Sequence, residues 1–485
     1  MEFLNVKKIH FVGLGGIGVS AVARFFVSRG AKISGSDRAG FDGAKELRER
    51  GIKVFVKHDE KNLPPDAEAV VYSSAILADN PELALARNRG IPMFEYVEAL
   101  GEIMKGKYSI GVSGTNGKTT TTAMLGKILE AAKMDPMVIL GGKVPGWDAN
   151  LRPSKVTWRR SLQVGGFASK LPSSLFIAEA CEYRRHFLKL NPKAVVLTNI
   201  EAEHLDYFKD LDDIKNAFSE YISKLPKDGF LVYNADDKNV VEVIKRTPIS
   251  LKLRGTRKAK KISCSLRKKN VDLFATDIRY EKGKQVFRVF WKKADLGEFS
   301  IGVPGIFNVM NAIEALAAAL TLGADSKSAR KALSKFSGTW RRFEKVGKAG
   351  KTTIISDYAH HPAGVVATIR AAKELYSGKK ILFVFQPHQK DRTLKLLKEF
   401  AEALSFAGDV VLSEIYEVAG RNEAAKNVSV NDLAAEITKI QNMNIAVGLS
   451  LKETEKIVRN MFPYYHAVVI MGAGDIYQIA EKLVK

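Results

Sequence analysis

Lys118 and Thr119 close the run Gly114-Thr115-Asn116-Gly117-Lys118-Thr119-Thr120, after the apolar stretch Ile110–Ser113 and before helix-forming residues from Thr122 to Lys133. A strand, a glycine-rich loop and a helix in that order can cradle a phosphate. Loop N–H groups and the positive helix end face the anion, the lysine reaches the outer phosphates, and the threonine hydroxyl binds Mg²⁺. The full phosphate-loop spacing has a glycine where this chain has Val112, so a plain glycine turn is the alternative. Downstream, Ser174–Ala178 reads as a buried strand that delivers Glu179, with Cys181 and Glu182 behind it. A carboxylate ending a strand beside such a loop is where a Mg²⁺ ligand belongs, because the metal bridges protein oxygen and phosphate. The competing reading is a charged residue ending a strand by chance. Ala194–Thr198 then delivers Asn199, Glu201, Glu203 and His204. His204 among carboxylates could bind metal or pair with a substrate, or be an ordinary surface histidine.

A second set of glycines lies near the N-terminus. Lys8–Val12 reads as a buried strand; Gly13, Gly15, Gly16 and Gly18, then Ser20, lead into an amphipathic helix, and the strand Ala31–Gly35 stops at Ser36-Asp37. Gly13, Gly15 and Gly18 with Asp37 as the acid satisfy the dinucleotide fingerprint, which alone predicts a nicotinamide or flavin enzyme. Tight glycines at a helix start bind any pyrophosphate, including that of a UDP-sugar. Ser73 and Ser74 end another strand pattern and are sugar or phosphate contacts, or a turn.

The elements that must position these groups alternate strand and helix, with polar residues gathered after strand ends. Thr353–Ser356 delivers Asp357, Tyr358, His360 and His361; Lys380–Phe385 delivers Gln386, His388 and Arg392; Val410–Ser413 precedes Tyr416 and Arg421. Open α/β sheets bind ligands at that edge. The paired histidines lack a metal-ligand spacing partner. Asn308 and Asn311 lie on one face of an alanine-rich helix, placed to address one ligand or to cap.

At 485 residues the chain has room for two to four domains. Its two cysteines, Cys181 and Cys264, exclude a disulfide framework and a cysteine metal quartet. No secretory signal pattern opens it and its most apolar helix carries Glu314, so a cytoplasmic protein is expected. Of the net charge of +23, Lys245–Lys293 alone holds 17 basic and 3 acidic residues. That patch is a solvated face or a contact for an anionic partner; without interleaved aromatics, nucleic acid is not expected as a functional partner.

Taken in order, GTNGKTTTT, Glu179, TNIEAEHLD, PGIFNVMNA, RRFE, SDYAHHP, FQPH and GAGD resemble the Mur ligase family, the ATP-dependent amide-forming enzymes of peptidoglycan synthesis. The resemblance runs over essentially the whole chain, and FQPH followed by Arg392-Thr393 favours the alanine-adding branch over the murein tripeptide ligases. Folylpolyglutamate synthase shares the GTNGK loop but not the first third. The resemblance implies an α/β fold of three domains: 1–107, Rossmann-like, for a UDP-sugar; 108–335, P-loop ATPase-like, for ATP; and 336–485, Rossmann-like, for the amino acid and closing over ATP. It implies ATP and Mg²⁺, with UDP-N-acetylmuramate and L-alanine as partners, in a monomer or weak homodimer without membrane insertion. Lys118, Glu179, His204, Arg342 and Asp357 would be catalytic, with Thr119, Glu179 and His204 on metal. The run Gly114 to Thr120, Asn308, Asn311, Arg342 and Asp357 would hold ATP. Gly13, Gly15, Gly16, Gly18, Ser20, Asp37, Ser73 and Ser74 would hold the UDP-sugar, and Tyr358, His360, His361, His388, Arg392 and Arg421 the amino-acid side. Departures from the family pattern are Asn116, Cys181, Glu203 and Lys390. Phe218, where sister ligases carry a carbamylated lysine, fits the alanine-adding branch.

Overall fold

The structure is a computed structural model and describes residues 2–41, 43–154, 174–204, 207–247, 259–417 and 428–485. Arg421, part of the basic patch and most of the Lys143–Pro172 stretch, which by its Gly, Pro, Arg and Trp content reads as loop or hairpin, lie outside the described residues. The chain divides into two compact units, the first of Met1–Thr276, Arg288–Glu298 and Met310–Leu333, the second of Asp277–Phe287, Phe299–Val309 and Ser334–Lys485.

The first unit begins with a five-stranded parallel sheet in the order Lys53–Val56, Lys32–Asp37, Lys8–Val12, Ala69–Tyr72, Met93–Glu95. Its central strand is almost wholly buried, His10 included, because helices cover both faces of a parallel sheet. Strand order runs outward in both directions from Lys8–Val12, and Gly13 and Ser73 leave adjacent strands at that reversal. Doubly wound sheets bind their ligands there.

The second sheet has ten strands, in the order Ala294–Ile301, Lys284–Trp291, Leu273–Glu281, Lys260–Ser265, Phe230–Asn234, Ala194–Leu197, Tyr108–Ser113, Leu175–Glu179, Met137–Ile139, Leu151–Arg152. Register matters more than order here. Val112 pairs with Glu179 on one side, and Ser113 with Leu197 on the other. The loop after Ser113 therefore rises between strands that deliver Glu179 and Thr198. The Met137–Ile139 and Leu151–Arg152 strands pair antiparallel, so the described beginning of the Lys143–Pro172 stretch forms a hairpin. Phe218 is fully buried, edge-on to Phe187 at 5.1 Å.

These two sheets are tied together within the unit. Buried Arg24, on the helix Ile17–Ser28, donates to Asn150 Oδ1 at 3.0 Å and to both oxygens of Glu46 at 3.3 Å. Asn150 Nδ2 in turn donates to the Ile17 carbonyl at 2.5 Å, and Arg50 pairs with Asp148 at 2.7 Å. The first helical turn after the N-terminal glycines is thus bonded to the hairpin of the second sheet.

Helix Ile306–Thr321 carries Glu314, completely buried, with neither oxygen hydrogen-bonded among the described residues. Burial first, and Asp237 second, raise its pKa well above the ordinary 4.5. The folded chain therefore keeps this proton to higher pH than the unfolded chain, and stability is full below the ordinary pKa and declines as pH rises above it. Glu314→Gln is expected to remove a decline of up to about 1.4 kcal/mol per pH unit. Urea midpoints taken from about pH 5 to about pH 8 check this; parallel curves for parent and variant would refute it.

The second unit is built on a six-stranded sheet in the order Glu344–Ala349, Thr352–Asp357, Ala467–Met471, Ile381–Phe385, Asp409–Ser413, Asn444–Gly448. Its first pair is antiparallel and the rest are parallel. Among the described residues no helix is long and apolar enough to cross a membrane.

Candidate active site

The loop Gly114–Gly117 owes its path to its two glycines, at φ 136° and 83°. A Cβ on Gly114 would stand 2.1 Å from Thr198 Oγ1, and one on Gly117 2.3 Å from Asn311 Oδ1. Thr198 Oγ1 donates to the Asn116 carbonyl at 2.6 Å, and Asn199 Oδ1 accepts from the Asn116 N–H at 2.8 Å. The Thr115 hydroxyl accepts from the Glu201 N–H at 2.8 Å, and Asn116 Nδ2 donates to Glu201 at 3.1 Å. The loop is thus held by the segment from Thr198 to Glu201, whose Asn199 accepts from both the Thr115 and Asn116 N–H groups.

Lys118 opens the helix Lys118–Ala131 and turns back on its own loop. Its ammonium lies 2.6 Å from the Gly114 carbonyl, 2.9 Å from that of Thr115, and 3.2 and 3.1 Å from the two oxygens of Glu182. Burial lowers the Lys118 pKa, but the carboxylates around it, Glu182 first, more than offset that and leave it above its ordinary value. Glu182 is 2% exposed. Burial, with Glu203 adding, raises its carboxyl above the usual range against the pull of Lys118. Sequence reasoning gave Glu182 no role; the only signal was its place behind Glu179.

The expected metal ligands fall into two donor groups. Glu179 accepts from the Thr119 hydroxyl at 2.9 Å and from the Gly141 N–H at 2.7 Å. His204, at φ 58°, lies 3.7 Å from Glu182. Glu182, Glu203 and His204 each place a ligand atom within 4.8 Å of the others. Both groups offer hard oxygen donors beside a phosphate loop, a chemistry that suits Mg²⁺. Asn311 reaches Gly117, whereas the Asn308 amide donates to the Pro304 carbonyl at 2.7 Å within its own helix start.

The N-terminal glycines form a second cradle. Gly13 is at φ 82°, and a Cβ there would meet Ser73 at 2.9 Å. On Gly18 it would meet the Tyr96 ring at 2.7 Å, and on Gly15 the Phe41 ring. Asp37 accepts from the Gly15 N–H at 2.8 Å, so its carboxylate braces the loop. The Ser20 hydroxyl donates to the Ile17 carbonyl at 3.1 Å. Gly16 caps the helix without a side-chain bond, and the N–H groups of a first helical turn, which lack intrahelical acceptors, suit an anion.

In the second unit the expected residues gather at the carboxyl edge of the sheet. Asp357 accepts from the Phe343 and Ala359 N–H groups at 2.6 and 2.8 Å and from Thr368 at 3.0 Å, which fixes both segments beside it. Burial raises its pKa while Arg342 opposes. The Arg342 guanidinium lies 4.7 Å above the Tyr358 ring. Arg341, 4% exposed, donates to the carbonyls of Gly472 and Gly474 and was not anticipated. His360 stands edge-on to Tyr358 and to His388, and His388 stacks on Tyr416 at 5.4 Å. Arg392 Nη1 is buried without a hydrogen-bond partner among the described residues, and His361 caps the helix Pro362–Leu375. Lys390 pairs with Glu417.

A sugar-nucleotide-type cradle beside a phosphate loop, with a further α/β sheet downstream, defines a class of three-domain nucleotide-dependent ligases. Family models match accordingly: "Mur ligase family, catalytic domain" over residues 8–108, "Mur ligase middle domain" over 112–319 and "Mur ligase, glutamate ligase domain" over 341–474. The chain belongs to the Mur ligase family. It is 36% identical, over 99% of its length and 98% of the relative's, to UDP-N-acetylmuramate–L-alanine ligase of Clostridium novyi (strain NT). The crystal structure of UDP-N-acetylmuramate-alanine ligase MurC from Thermotoga maritima is 26% identical, with a TM-score of 0.79 and 98% of each chain covered. A murein peptide ligase from Psychrobacter arcticus 273-4 shares the fold, at 21% identity, 98% coverage of each chain and a TM-score of 0.72.

Proposed function

We propose that this chain joins L-alanine to the lactyl carboxylate of UDP-N-acetylmuramate at the expense of ATP, giving UDP-N-acetylmuramoyl-L-alanine, ADP and phosphate for peptidoglycan synthesis in the cytoplasm. The observation that carries it is the pair of anion cradles in one unit, the second with Lys118 at its mouth and Thr119 on Glu179 beneath. Full-length similarity to ligases of that name supports the choice of substrates.

Joining an amine to a carboxylate in water is uphill, so the carboxylate first needs a leaving group. Its oxygen attacks the γ-phosphorus of ATP and ADP departs. The amine of L-alanine then attacks the acyl phosphate carbon, loses a proton and expels phosphate. Phosphoryl transfer chiefly needs positioning and charge neutralisation, which Lys118 supplies when it turns from Glu182 and its loop carbonyls to the outer phosphates. Mg²⁺ bound through Thr119 and Glu179 would neutralise further phosphate charge, and His204, in the other donor group, would hold a second Mg²⁺ or the acyl phosphate. Asn308, Asn311, Arg342 and Asp357 belong to ATP in this reading, the N-terminal glycines with Ser20, Asp37, Ser73 and Ser74 to the UDP-sugar, and Tyr358, His360, His361, His388, Arg392 and Arg421 to the amino-acid side. The domain limits are those at residues 107 and 335.

Phosphate release is measured with ATP, Mg²⁺ and UDP-N-acetylmuramate against a panel of amino acids and the tripeptide L-Ala-γ-D-Glu-diaminopimelate. Release with L-alanine well above the others is expected; preference for the tripeptide, or NAD(P)H binding without any release, would replace the proposal.

A further inference from the structure

The turn after strand Leu175–Glu179 does more than carry Glu182. In the short helical segment Tyr183–Lys189, Arg184 and Arg185 both hold left-handed backbone, at φ 50° and 57°. Non-glycine residues rarely adopt that region, and two in succession persist only where their surroundings hold them. The side chains around them are held on every side. Glu182 pairs with Lys118, and the Tyr183 ring lies tilted on His204 at 4.7 Å. Arg185 pairs with Asp213 at 2.5 Å. His186 lies 3.4 Å from Glu95, whose carboxyl is held down to about 2 by His186 first and then by Lys189. It also stands edge-on to Tyr96, the ring that closes against Gly18.

Arg184 is the exception, being exposed. One corner of its guanidinium is anchored, Nη1 donating to the Ser74 carbonyl at 2.9 Å, and its centre lies 5.6 Å from the Tyr183 ring. Its other N–H groups have no partner among the described residues. Ser74 follows Ser73, which packs against Gly13, so the anchor sits at the strand reversal of the first cradle. Tyr183, beneath the guanidinium, packs on His204 beside the second. A planar fork of N–H donors, fixed at one corner and open at the others, is suited to a carboxylate.

We propose that Arg184 binds the lactyl carboxylate of UDP-N-acetylmuramate and holds it between the two cradles, an inference that rests on the function proposed above. Arg184 is thereby a specificity residue: it distinguishes the carboxylate-bearing sugar from the same nucleotide sugar without one. The left-handed turn carries Arg184 exposed, between half-buried Tyr183 and Arg185.

Calorimetric titration of the full chain and of Arg184→Ala and Arg184→Lys with UDP-N-acetylmuramate, UDP-N-acetylglucosamine and UDP tests this, since the last two keep the diphosphate and lack the lactyl group. Arg184→Ala is expected to weaken UDP-N-acetylmuramate by about tenfold to a hundredfold and to leave the other two within about twofold. In turnover, KM for UDP-N-acetylmuramate rises while KM for ATP holds, and Arg184→Lys recovers part of the loss. Equal weakening of all three ligands would place the arginine on the diphosphate or in the fold, and unchanged binding would leave it no ligand; either overturns the inference. A parent chain that binds UDP and UDP-N-acetylglucosamine but not UDP-N-acetylmuramate would overturn the proposed function itself, and this inference with it.

Discussion

Lys118→Ala is expected to lower kcat for ATP-dependent phosphate release by about a thousandfold or more, while UDP-N-acetylmuramate binding stays within about twofold. The ammonium is bonded to the loop proposed to take the triphosphate, and the alanine removes that side-chain cation from the charge that develops on transfer. The same change removes the lysine partner of buried Glu182, which then keeps Glu203 and His204 as its charged or titratable neighbours. Breaking a buried pair from one side costs about 3–5 kcal/mol, less here because the already raised Glu182 carboxyl can take up a proton. Activity and stability therefore separate in the double variant Lys118→Ala/Glu182→Gln, which recovers most of the lost thermal stability and none of the turnover. Near-parental turnover in Lys118→Ala would remove the phosphate-loop assignment.

Gly13→Val gives the reciprocal result: UDP-N-acetylmuramate affinity falls by about a hundredfold while Mg-ADP binding stays within about twofold. Gly13 is at φ 82°, where a β-branched residue is strained, and its first side-chain carbon would stand 2.9 Å from Ser73 and 3.4 Å from Ile76. The turn must open, and the helix start proposed to receive the diphosphate moves with it. Calorimetry with each ligand separately reads the outcome. If the variant lost ADP and kept the sugar nucleotide, the two cradles would have to exchange their assignments.

What the sequence made legible was local. Strand, glycine loop and helix at Tyr108–Ala131 and at Lys8–Ser28 are written in consecutive residues, as is the delivery of Glu179 and Thr198 at strand ends. Pairings made across the sheet were not. Lys118 and Glu182 belong to different strand-loop units, and only the register of Tyr108–Ser113 with Leu175–Glu179 brings them together. Left-handed backbone on Arg184 and Arg185 has no glycine to announce it. The fingerprint acid Asp37 also braces its own loop by accepting from the Gly15 N–H, a use the motif does not announce. Glu314 entered the sequence reading only as an obstacle to membrane insertion. Asn308 and Asn311 share one face of this alanine-rich helix, but nothing in its pattern announces the complete burial of the Glu314 carboxyl.

The bonds from Arg24 to Asn150 and from Asn150 to the helix start after Gly16, with Arg50 on Asp148, bear on how the two cradles are spaced. They join the two sheets by side chains within one unit. On the function proposed above, a sugar nucleotide seated by its diphosphate in the first cradle would present its carboxylate to the second across a span that the protein itself sets.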